Sequence, residues 1–155
     1  ISEVGLNQAL DATNTTQQYP IGHKVRAVDV GTTARGEGEF VYWCGVASVA
    51  AGDFCHFDGG IVARSGAASV GAGGVAMAAI VASTYGWFQV RGKAIVNTST
   101  AADNLLCFTH GTGGLMSTTA LAGQEIVGTR VTTAEDTGQA VVELMYPAAA
   151  DTNAA

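Results

Sequence analysis

Tyr85 to Val96 reads YGWFQVRGKAIV, and the alternation within it decides the fold class. Trp87, Gln89 and Arg91 share one parity, Phe88 and Val90 the other. In a β-strand, residues of opposite parity face opposite sides of the sheet. A second stretch, Glu39 to Val46 (EFVYWCGV), is equally dense in aromatic and β-branched residues. Such side chains fit a pleated, half-buried surface, so both stretches predict strands.

Working outward, glycine punctuates the chain between further short strands. His23–Val30 alternates, with Val25, Ala27 and Asp29 on one parity and Lys24, Arg26 and Val28 on the other. Gly36–Gly38 reads as a turn, Asp53–Asp58 as a strand, Gly59–Gly60 as a turn and Ile61–Arg64 as a short strand. The run Gly71–Gly74 reads as a flexible turn before a strand over Val75–Val81. Strands over Asn104–Thr109, Glu125–Val131 and Gln139–Tyr146 follow, with a turn at His110–Gly114 and Pro147 ending the last strand. Turn signals every 8–12 residues or so predict an all-β domain, a compact barrel or sandwich of short strands.

The ends differ in texture from this body. Residues 1–20 are polar and rich in Asn, Gln and Thr, which predicts an extended N-terminal arm with little core of its own. The β domain then spans 21–147, and 148–155 reads as a flexible tail. A weak internal repeat relates Gly45–Asp58 to Gly92–Thr109. Each runs from a glycine through a small apolar strand and a polar turn to a strand ending near Phe57 or Phe108. Two such units are expected to pack as related halves of one barrel.

Composition bounds the function classes. The chain has 155 residues, enough for one domain to bury a core without metal or disulfide. Only 13% of residues are charged, about half the usual quarter, which hints that neighbours cover part of the surface. A net charge of −6 argues against nucleic acid and against an anionic membrane. The apolar run Gly71–Val81 falls short of the about 20 residues a membrane helix needs. No basic n-region of a secretory signal opens the chain. Cys44, Cys55 and Cys107 lack CxxC spacing and read as free, buried thiols of a reducing compartment.

A search for chemistry yields no assignment of catalytic, cofactor-binding or metal-binding residues, and the chain reads as a non-enzyme. The histidines are His23, His56 and His110. His56 and Asp58 share a strand face, but Cys55 points the other way, which breaks the local metal-ligand set. Neither Ser48 nor Ser65 sits in a GxSxG elbow. The glycines of Gly71–Gly74 lack the lysine of a phosphate loop, and Glu135–Asp136 reads as a loop tip. Tyr42, Trp43, Tyr85 and Trp87 read as core or interface anchors in preference to a carbohydrate platform.

From Ile21 to Pro147 the order of segments is distinctive: GEFVYWCGVASVAAGDFCHFD, then GGVAMAAIVASTYGWFQVRGKAIV, LLCFTHGTGG and IVGTRVTTAEDTGQAVVELMYP. This order resembles the small head decoration, or capsid cement, proteins of tailed bacteriophages. The resemblance implies a β-rich structural protein on the capsid exterior of a virion, bound to the major capsid protein and to itself as a homotrimer. The polar arm, Ile1–Lys24, is then the expected contact with shell or neighbour. The alternatives are another virion part (fibre, tail or spike, glycan-binding) and, further off, a small Cys- or metal-dependent hydrolase.

Overall fold

The computed structural model describes residues 6–29, 36–120, 124–134 and 137–150. Among these there are ten strands and no helix. They are β1 (Lys24–Asp29), β2 (Gly36–Cys44), β3 (Phe54–Asp58), β4 (Ile61–Arg64), β5 (Gly71–Ala76), β6 (Tyr85–Thr100), β7 (Cys107–Thr109), β8 (Met116–Ser117), β9 (Glu125–Ala134) and β10 (Gln139–Ala149). All belong to one sheet that closes on itself, as the all-β barrel expectation required.

The pairings trace two circuits. In the first, β2 runs parallel to β4, β4 antiparallel to β3, β3 to β5, β5 to β6, and β6 returns to β2. The second repeats that sequence of pairings: β6 parallel to β8, then β7, β9, β10 and back to β6. The internal repeat therefore ends on equivalent strands, β3 and β7. Its units fall one in each circuit of the closed sheet, and the 16-residue β6 serves both. Closure leaves little unpaired edge, which is how small β domains avoid pairing with one another. Among the described residues the exception is β1, which pairs with β2 alone and ends the sheet.

The parity read in Tyr85–Val96 organises the interior. Phe88 and Val90 point into the first ring with Val41, Cys55, Val62 and Ile80. Further along β6, past the register shift beside Val90, Ala94 and Val96 fill the second ring with Cys107, Met116, Ile126 and Val142. Trp87, on the opposite parity, packs outside the first ring against Phe40, Tyr42 and Leu10.

That outer cluster corrects the reading of residues 1–20 as an arm with little core. Leu10 is buried, Asn14 bridges to Tyr85, and Gln8 joins the cluster through three groups. Its Nε2 donates to Ala12 O and Tyr85 O, its Oε1 accepts from Tyr42 Oη at 2.9 Å, and its carbonyl accepts from Trp87 Nε1 at 3.2 Å. The physical reason lies in β2 and β6. Their outward Tyr42 and Trp87 are too large and apolar to face water, and the described part of the arm covers them.

Several boundaries also differ. Gly36–Gly38 is the start of β2, not a turn, because β1 pairs with it from Asp29↔Gly36 to Ala27↔Gly38. Gly71–Gly74 is strand β5, and the chain leaves the sheet after Ala76, so the strand expected over Val75–Val81 is displaced toward its glycines. A Cβ on Gly73 would lie 2.4 Å from Cys55 O, so glycine here permits close strand approach. Asn104–Leu106 stays outside β7, with Asn104 at φ 64. Pro147 does not end β10: Tyr146 turns at φ 53, the β9 register shifts between Leu144 and Ala148, and Ala148–Ala149 pairs with β5. Residues 148–149 are thus strand, not tail. Residues 1–5 of the arm, the Glu135–Asp136 tip and residues 151–155 lie outside the described residues.

Candidate functional site

Asp53, which the sequence did not single out, is a buried and heavily hydrogen-bonded acidic group. It precedes β3, is 1% exposed, and receives donors from three directions. Arg64 Nε lies 2.7 Å from Oδ2, Ala50 N donates to Oδ2 at 3.0 Å, and Asn97 Nδ2 donates to Oδ1 at 2.9 Å. Asn97 in turn accepts from Gln139 Nε2 at 3.0 Å. A Cβ on Gly114 would lie 2.5 Å from Asp53 Cγ, so the 113–114 turn presses directly on the carboxylate. The network ties the edge of the first ring to β6 and β10 of the second. A buried carboxylate met by three donors, one of them a guanidinium, holds this part of the structure together.

His56 and Asp58 do share a face, and Cys55 faces away from them into the first ring. The pair opens on a shallow polar depression with Arg64 and Ser69. His56 Nδ1 approaches Ser65 Oγ at 3.4 Å, but Ser65 is wholly buried and cannot meet a substrate. His23 stacks on Tyr19, with centroids 5.2 Å apart, and His110 Nδ1 accepts from Thr112 N. The three histidines are therefore dispersed. Among the described residues no group of three or more His, Cys, Asp or Glu is placed to hold a metal ion.

The cysteines are free. Cys55 and Cys107 are buried in separate ring interiors, and burial pushes the Cys107 thiol up to about 11 and that of Cys55 higher. Thiols so placed are poor nucleophiles. Cys44 is half-buried at the end of β2. Trp87 and Tyr42 are fully buried, as core anchors would be, and burial raises the Tyr42 phenol.

An apolar cleft of about 240 Å³ opens into the wall of the first ring. Val41, Trp43, Phe57 and Val90 form its sides, with Lys24 and Tyr146 completing the lining. Trp43 and Phe57 stack with centroids 4.6 Å apart, and Trp43 Nε1 is buried with no hydrogen-bond partner among the described residues. Lys24 Nζ lies 5.8 Å from the Tyr146 ring centroid, within cation–π range. The Tyr146 hydroxyl donates to Glu39, which holds the Glu39 carboxyl below its ordinary range and raises the phenol. The cleft residues on strands come from β1, β2, β3, β5, β6 and β10, so the closed sheet brings them together.

No known protein family, curated protein or solved structure matches this chain.

Proposed function

We propose that this chain is a structural virion protein, a capsid decoration or cement protein that binds the outer surface of a phage head as a homotrimer and stabilises it. The order of segments over Ile21–Pro147 supports this reading, as does the low proportion of charged residues. The observation that carries it is an exposed apolar group on the second ring. Val127, Met145 and Tyr146 are 53%, 65% and 54% exposed. Met145 and Tyr146 lie where the β9–β10 register shifts, and a Cβ on Gly128, next to Val127, would lie 2.5 Å from Met145 O, so the backbones of the three run close together. Large apolar side chains gathered on a rigid sheet suit contact with another protein surface.

The test is co-sedimentation of the purified chain with expanded phage heads, together with its oligomeric state in solution. A trimer that saturates the heads, and whose occupancy falls when Val127→Asp and Met145→Glu are combined, supports the reading. A monomer that stays in the supernatant overturns it. The glycan-binding fibre or spike reading loses its Trp87 platform, because that ring is wholly buried beneath Leu10 and Tyr19.

A further inference from the structure

Two features of the first ring lie side by side and share a purpose. One is the open edge of β1. Tyr42 N–H donates to His23 O, and Lys24↔Val41 through Asp29↔Gly36 continue the ladder. Hydrogen-bonded pairs alternate in an antiparallel ladder, so Val25 and Ala27 bond to β2. The backbone groups of Lys24, Arg26 and Val28 point away from it. Among the described residues nothing pairs with them. The other feature is the apolar cleft. Lys24 is cross-strand partner to Val41, so its side chain shares the face on which Val41 and Trp43 line the cleft.

From this juxtaposition we propose that β1 accepts an extended segment of a partner protein as an added antiparallel or parallel strand. One large apolar side chain of that segment enters the Trp43–Phe57 cleft, and an Asp or Glu two positions away meets Lys24. Strand addition of this kind draws affinity from main-chain hydrogen bonds and specificity from a side-chain pocket. Charge selects the occupant. In an acidic chain, three of the seven basic residues, Lys24, Arg26 and Arg91, gather around Tyr146 and Glu39. Arg26 and Arg91 are paired to Glu39, whereas Lys24 has no carboxylate within salt-bridge distance among the described residues. The cleft volume of about 240 Å³ takes one aromatic or large aliphatic side chain. The inference does not depend on the partner being a capsid.

Short random peptides displayed on a library and selected on the full chain test it. The expected consensus pairs an aromatic or large aliphatic residue with an acid at i+2. Titration of a selected peptide then compares variants. Arg26→Pro removes an outward donor without touching the β2 ladder, and Lys24→Glu reverses the charge; each weakens binding by roughly tenfold or more. Arg26→Ala, which loses the same ion pairs but keeps the donor, changes binding by less than about threefold. Bound peptide protects the amides of Lys24, Arg26 and Val28 from exchange. A consensus without an acid, or binding unmoved by Arg26→Pro, overturns the proposal. So does a dimer of the free chain that Arg26→Pro abolishes, since a second copy would then own the edge.

Discussion

Phe54 and Cys55 are adjacent in β3, yet their side chains lie in different cores. Phe54 packs with Val75 of β5 and with Val96 and Leu144 of the second ring, Cys55 with Val41, Val62 and Phe88 of the first. Val75 and Ala76 divide in the same way on β5. The wall formed by β3 and β5 is thus shared, and the outside of one ring is the inside of the other.

Phe54→Ala is therefore expected to cost about 3–5 kcal/mol, the usual range for emptying a buried aromatic site. Because the wall is common, both rings lose stability in one transition. Urea unfolding followed by tryptophan fluorescence and by far-ultraviolet dichroism should shift together. Separate midpoints would show that the rings unfold independently.

Asp53→Ala strands the Arg64 guanidinium and the Asn97 amide, and should destabilise the fold by roughly 3–5 kcal/mol, as removal of one partner of a buried pair does. Replacing Arg64 by Met instead leaves a carboxylate only 1% exposed with two uncharged donors and no counter-charge. Arg64 itself is partly exposed and water can solvate it, so the Arg64 substitution should cost at least as much. Thermal unfolding of the two variants side by side checks the order.

Alkaline pH should weaken the fold. Cys107 ionises in the folded state only at about 11, whereas the unfolded thiol ionises near its ordinary value of about 8.5. Between those values the unfolded chain has released a proton that the folded chain retains, so stability falls as pH rises. Each such thiol contributes a slope of up to about 1.4 kcal/mol per pH unit. Cys107→Ala should flatten the dependence of the urea midpoint over that window. Below about pH 8 the slope should be the same in both proteins.

Leu10→Ala should cost about 2–5 kcal/mol, although it lies in a segment whose composition is that of a loop. Removing residues 1–19 should shift the Trp87 emission to the red as its ring meets water. An unshifted spectrum would mean that the arm does not cover Trp87 in solution.

How much of this was legible in the sequence depended on whether the signal was local. The parity of Trp87 against Phe88 and Val90 is a property of neighbouring residues, and it separated the outer cluster from the first-ring core correctly. Gly73 was not legible, because glycine serves both turns and close backbone approach, and only the position of Cys55 distinguishes them. Leu10 stood alone among polar residues, and its burial depends on Trp87, which lies far along the chain. The Asp53 network hid for the same reason: Arg64 is 11 residues away and Asn97 is 44. Pro147 misled because a proline usually stops a strand, but a register shift beside Tyr146 lets β10 pass it.

The sharing of β6 has a last consequence, for how the chain can be divided. Tyr85–Thr100 closes one ring and opens the next, so no single break leaves both fragments complete. Whichever fragment keeps this strand leaves the other, β1–β5 or β7–β10, an open sheet with bare edges and an opened interior. The halves repeat one another in plan, but neither is a module. A gene that duplicates, swaps or trims one half must carry the common strand with it or produce a chain that sticks to its neighbours.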